Sequence, residues 1–181
     1  MDETARIFLA VEMPDPGIRA LHAFRDVHEG LNVRWTSEGN LHLTVLFIGD
    51  VFVTQLPLLA VDASAKAAEF SAEPIHLKTI DWAPARDPVR MIWCAGDAGP
   101  GWQTFVQELA GALNVATSQK SDRWRPHVTV ARLDPAPKKT LPELRTPVNI
   151  NWTPKELLLV ESKVQRGAAP VYRVINEFPF A

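Results

Sequence analysis

Apolar and polar positions along this chain change period repeatedly, and the changes mark out its elements. Arg6 to Glu12 reads as a strand, Ile7-Phe8-Leu9-Ala10-Val11 being its apolar run. Pro14-Asp15-Pro16 then opens a helix expected to reach about Glu29, with Pro tolerated in its first turn. Its apolar seam is Ala20, Leu21, Phe24, Val27 and Leu31. Trp35 to Asn40 reads as a turn, and Leu41 to Ile48 as a strand closed by Gly49-Asp50. Gln55 to Phe70 is Ala- and Leu-rich and reads as helical despite Pro57. Ile75 to Ile80 and Val89 to Ala95 are expected strands, joined through the loop from Trp82 to Pro88. Gly99-Pro100-Gly101 breaks the chain before a helix from about Trp102 to Val115, whose seam is Trp102, Phe105, Val106, Leu109 and Leu113. A strand from Pro126 to Leu133, a Pro-rich basic loop up to Pro147, and strands at Glu156 to Val164 and Val171 to Phe178 complete the chain.

Strands and helices mix without regular alternation, which favours an α+β fold over a doubly wound sheet. Their order repeats: strand, helix, strand in the first part is echoed from Val89 to Leu133. The last strand of each trio carries the same four-residue pattern, His42-Leu43-Thr44-Val45 and His127-Val128-Thr129-Val130. On a strand the His and Thr of each copy share one face, and the apolar pair points to the other. Two copies in matched places suggest two half-sites meeting across a cleft, each offering an imidazole and a hydroxyl.

Composition sets broad limits. The chain has 181 residues, 46% hydrophobic and 22% charged, with net charge -2, which is the balance of an ordinary soluble protein, either one domain or two lobes sharing a core. So little charge argues against wrapping a long duplex by phosphate neutralisation, yet a single phosphate or a strand end remains within reach. Cys94 is the sole cysteine and reads as a buried, inert thiol on a strand, so no disulfide framework exists. The polar Met1 to Arg6 start does not read as a signal peptide, and no apolar run has membrane-spanning length. The expectation is a cytoplasmic monomer without a membrane partner.

Histidine gives and takes protons near neutrality, so two imidazoles across a cleft form a general acid–base pair. Flanking hydroxyls and an Arg suit the oxygens of a phosphoryl group. A catalytic zinc would want about three protein ligands, and neither motif brings a further His, Cys or acidic residue in metal spacing. No metal or other cofactor is expected. Phosphate-binding Gly-rich loops and Gly-x-Ser-x-Gly are also absent. His22 is expected in solvent on its helix, His28 in packing at a helix edge, and His76 on a strand face where it could meet substrate.

The two His-x-Thr-x motifs, with Arg34-Trp35 and Asn40-Leu41 ahead of the first, Pro126 and Ala131-Arg132 around the second, and Glu161-Ser162-Lys163 with Gly167 to Tyr172 near the end, resemble the 2H phosphoesterase superfamily. Within it the chain resembles the bacterial and archaeal RNA 2′,3′-cyclic phosphodiesterases, also called 2′-5′ RNA ligases. The resemblance implies a bilobal, pseudo-twofold α+β fold over residues 1–181, with antiparallel sheets lining a central cleft and helices outside. It also implies metal-independent hydrolysis of an RNA-terminal 2′,3′-cyclic phosphate to a 2′-phosphate, with reversible 2′-5′ RNA ligation beside it. On that pattern His42 is the general acid, His127 the general base, Thr44 and Thr129 hold phosphate oxygens, and Arg132 adds positive charge. Ala83-Pro84 departs from the aromatic-Pro pair usual in the family.

Lys120, Arg123, Arg125, Arg132, Lys138 and Lys139 outweigh Asp122 and Asp134 around the second motif, enough to draw a polyanion toward the cleft. In Arg123-Trp124-Arg125 an aromatic between cations suggests Trp124 as a base platform and Arg125 as a phosphate contact. The expected partner is an RNA 3′ end bearing a cyclic phosphate, or a small cyclic nucleotide, and not DNA. Two alternatives stay open: a non-catalytic RNA-end binder, and a sister cyclic phosphodiesterase acting on a small nucleotide-derived substrate.

Overall fold

The computed structural model describes residues 3–85, 88–114, 124–133, 141–163 and 169–181. In chain order these form β1 (Thr4–Glu12), α1 (Asp15–Val27), β2 (Arg34–Trp35), β3 (His42–Phe52), α2 (Leu56–Glu69), β4 (Ile75–Ala83) and β5 (Met91–Ala98). Then follow α3 (Gly101–Leu113), β6 (His127–Arg132), β7 (Thr146–Trp152), β8 (Glu156–Lys163) and β9 (Val171–Pro179). The fold is α+β, as expected. Its strands form one sheet in the order β7-β4-β5-β6-β3-β1-β8-β9, and β2 pairs with β6 beside β3. The described ladders are antiparallel.

The strand order is a palindrome about the β6/β3 seam. β5-β6 on one side answers β1-β3 on the other, which is the sheet form of the sequence repeat. One face is apolar: Ile7, Leu9, Leu43, Val45, Leu77, Ile92, Val128 and Leu157 pack with Leu21 and Phe24 of α1, Ala63 of α2 and Trp102 of α3. α1 crosses to pack on β7, and α2 packs on α3 and β9, so the helices tie the halves of the sheet together. Phe8, Ala10, Leu158 and Val160 make a second, smaller cluster on the opposite face.

Three elements differ from the periodicity reading, the first being β2, a two-residue strand that pairs with β6 where a turn is expected to begin at Trp35. β3 does not stop at Gly49-Asp50 but continues to Phe52, because Gly49 adopts φ +98, a conformation open to glycine, and the strand passes through an irregularity rather than a turn. β7 falls where Pro147 reads as loop. It is an edge strand, where a missing N–H is tolerated, and its half-buried or buried Thr146, Val148, Ile150 and Trp152 alternate with exposed Pro147, Asn149 and Asn151. Lys120, Arg123, Lys138, Lys139 and Gly167 lie outside the described residues.

Gly96 of β5 meets the backbone of β4 so closely that an added Cβ would fall on the His76 carbonyl, whereas nothing approaches Gly30. Gly96→Ala is therefore expected to cost about 1–3 kcal/mol and Gly30→Ala no more than ~0.5 kcal/mol, measured by urea unfolding.

Candidate active site

Leu43 of β3 stands opposite Val128 of β6. Carried one residue further each way, this antiparallel register brings His42 toward Thr129 and Thr44 toward His127, with the two histidines on one diagonal. Both apolar partners are 0% exposed. The four polar side chains consequently lie on the opposite, cleft face.

The histidines are held alike. The His42 Nδ1–H donates to the Asn40 carbonyl at 2.8 Å, and the His127 Nδ1–H to the Arg125 carbonyl at 2.9 Å. A carbonyl only accepts, so the proton sits on Nδ1 and each Nε2 is left for chemistry. The Thr44 hydroxyl lies 3.1 Å from His42 Nε2. Phe8 and Tyr172 close around the His42 ring at centroid distances of 4.8 and 5.1 Å, while the Trp93 indole stacks on His127 at 3.9 Å.

This cover sets the electrostatics. Burial pulls the His42 imidazole from its usual 6.5 down to about 4; the Asn40 carbonyl opposes that, and the nearby His127 and Arg132 add to it. Burial likewise lowers His127, against its bond to the Arg125 carbonyl. The cleft of the free protein thus holds two neutral imidazoles.

Arg132 reaches the cleft through a bulge. Thr129 faces Trp93 and Ala131 faces Ile92 on β5, leaving Val130 as an extra residue. β3 does the same: Thr44 faces Ala10 and Leu46 faces Leu9, leaving Val45 extra. Val45 and Leu46, like Val130 and Ala131, are both buried, so Phe47 and Arg132 turn back to the histidine face. Without the bulge a residue five places after the histidine would point to the core side. Arg132 and Arg34 help wall a cavity of about 230 Å³ together with His42, Thr44, Thr129 and Tyr172.

Residues 13–166 match the family described as the 2'-5' RNA ligase superfamily. The chain belongs to that superfamily. An RNA 2',3'-cyclic phosphodiesterase of Methanocaldococcus jannaschii is 25% identical over 179 residues, covering 96% of this chain and 99% of the relative. One from Thermotoga maritima is 22% identical over 155 residues, covering 83% and 81%. Among solved structures, a Thermus thermophilus protein superposes with a TM-score of 0.75 at 25% identity over 97% of both chains. Escherichia coli LigT complexed with 3'-AMP superposes at 0.73 and 21% identity over 98% and 99%, a likeness of fold.

Not every residue singled out in the sequence belongs to the cleft of this superfamily member. Trp124 is not a base platform: it is 7% exposed, stacks on Trp102 at 5.6 Å and lies in the main core. A ring packed into the core has no face to offer a nucleobase. The Arg125 side chain is exposed, and its described link to the site runs through its backbone carbonyl. His127 is not among the cavity's wall residues but adjoins it beside His42. His22 is half-buried, 3.7 Å from Glu38, His28 stacks on Phe24, and His76 Nε2 meets the Asn149 side chain at 2.8 Å. Cys94 is buried, which pushes its thiol up to about 12. Among the described residues no group of three or more His, Cys, Asp or Glu gathers that could hold a metal ion, and no helix is long and apolar enough to cross a membrane. Sequence reasoning misses Phe8, Trp93, Tyr172 and Arg34 as site residues. The alternation within Arg6 to Glu12 is the available signal for Phe8, since it puts Ile7, Leu9 and Val11 on one face and Phe8 on the other.

Because native His42 resists protonation until about pH 4, an unfolded chain binds its proton first, near 6.5, and stability falls as pH drops through that window. Between pH 7 and 4 the protein is expected to lose ~3 kcal/mol more than His42→Gln, as read by urea unfolding at both pH values. Equal losses would place His42 in solvent.

Proposed function

We propose that this protein hydrolyses a 2′,3′-cyclic phosphate at an RNA terminus to a 2′-phosphate, without a metal, using His42 and His127 as an acid–base pair. The single observation that carries the reading is the placement of both motif histidines, each with Nδ1 bound to a carbonyl, on one face of adjacent strands. The superfamily membership and the names of the relatives support the substrate class.

His127, neutral in the free protein, takes the proton of the attacking water as its oxygen bonds to phosphorus. His42 delivers a proton to the departing 3′ oxygen as the P–O3′ bond breaks. His42 is neutral until substrate arrives, and the phosphate anion supplies the negative charge that raises its affinity for a proton. Thr44, Thr129 and Arg132 hold the non-bridging oxygens. When an RNA 5′-hydroxyl attacks phosphorus in place of water, its proton passing to His127 as the P–O3′ bond breaks, the same step gives 2′-5′ ligation, and its reversal returns the cyclic phosphate. The protein acts in this reading as a monomer in the cytoplasm, and its two halves form a single domain.

Hydrolysis of cyclic-phosphate-ended RNA and of a 2′,3′-cyclic mononucleotide should persist in excess EDTA and yield the 2′-phosphate. His42→Ala and His127→Ala should each lose about 10²–10⁴-fold in kcat/KM. Full activity in either variant overturns the mechanism, and loss with EDTA overturns metal independence. Binding of both probes without turnover would mark an RNA-end binder instead.

The pH profile gives a separate check. Both imidazoles are depressed in the free protein, so the bell in kcat/KM should centre on the acid side of 6.5. The bell in kcat, which reports the complex, should lie at higher pH. Coincident bells would show that substrate does not load the proton onto His42.

A further inference from the structure

The peptide that enters each bulge carries a threonine carbonyl, and each of these carbonyls is held by a side chain from the other half of the molecule. The Thr36 hydroxyl, just after β2, donates to the Thr129 carbonyl at 2.9 Å, while the Thr36 N–H donates to the Val130 carbonyl at 2.9 Å. Reciprocally, the Trp124 indole N–H, just before β6, donates to the Thr44 carbonyl at 3.1 Å. Among the described residues β3 and β6 share one residue pairing, Leu43 with Val128, and by Ala131 and Arg132 the partner of β6 is β2 instead. A sheet seam that narrow has no ladder to set the spacing of the strands on either side.

We propose that Thr36 and Trp124 are positioning residues, a reciprocal pair of clasps that sets the separation of the two His-x-Thr half-sites. This rests on the acid–base reading above. The two clasps are chemically different but occupy matching places, each on the carbonyl of the motif threonine. Trp124 is anchored by its stack on fully buried Trp102, and Thr36 by its own backbone bond to β6, so each donor is fixed from behind. Releasing a clasp lets the half-sites drift apart. The diagonal between the imidazoles then no longer spans one phosphate, and water enters beside His42. Binding through Arg132 and the threonine hydroxyls depends less on that separation than proton transfer does.

The test uses the full chain with Thr36→Val, which deletes the donor at nearly constant shape, Thr36→Ser, which keeps it, and Trp124→Phe, which deletes the indole donor but keeps an aromatic ring on Trp102. Thr36→Val and Trp124→Phe should lower kcat about 10–100-fold with KM changed less than about threefold, and Thr36→Ser should recover most of the loss. Independently of turnover, the His42 Cε1–H titration followed by NMR should move up toward 6.5 in the two deleting variants and stay low in Thr36→Ser. Active variants with wild-type kcat and an unmoved His42 titration, whatever their Tm, overturn the proposal. A wild-type protein inert on cyclic phosphate but with the expected titration shifts would instead overturn the functional reading and leave the clasps standing.

Discussion

The contact between Leu43 and Val128 is where this protein is joined. Each residue lies between the His and Thr of a motif, each is fully buried, and their pairing joins the two central strands of the sheet, one from each half of its palindrome. Because side chains alternate along a strand, burying these two residues commits His42, Thr44, His127 and Thr129 to the other face. A slip of one residue would send the imidazole and hydroxyl of one half into the core. The hydrophobic effect acting on these two side chains therefore decides which face of the sheet carries the polar site.

Around that seam the structure departs from regular geometry in matched places. Bulges at Val45 and Val130 turn Phe47 and Arg132 into the cleft, and the threonine carbonyls at the bulges are satisfied from the opposite half by Trp124 and Thr36. The symmetry is of backbone and not of chemistry. Where one half presents Phe47 the other presents Arg132, and where β1 has Ala10 opposite the motif threonine β5 has Trp93. Unequal surroundings for two identical motifs are what an acid–base pair with unequal roles requires. The arginine weighs on His42, whereas the indole covers His127.

The cleft also gains its chemistry from aromatic cover. Rings packed on both histidines shield them and disfavour the charged imidazolium, so the resting site is neutral next to a guanidinium. An anion entering such a site meets a positive field in surroundings that screen it little. In the proposed mechanism its arrival raises the proton affinity of His42, so that binding and proton loading become one event.

Much of this was legible in the chain. Period two and period 3.6 located three helices and seven of the strands, and the twofold His-x-Thr-x marked the centre of the sheet, because patterning is a local consequence of which face is buried. β7 escaped because Pro147 reads as a breaker until its strand is known to lie at an edge. Gly49 read as an end because only the pairing with Ile7 shows the strand continuing. Trp124 looked like a platform from its charged neighbours, though its environment is set by Trp102, distant in sequence. By itself the sequence determined which residues could carry protons and which face of each strand they share. The tertiary structure alone decided that the two strands lie side by side, that Arg132 turns inward and that aromatic rings from β1, β5 and β9 cover the histidines. These are contacts between residues far apart in the chain, and no local periodicity records them.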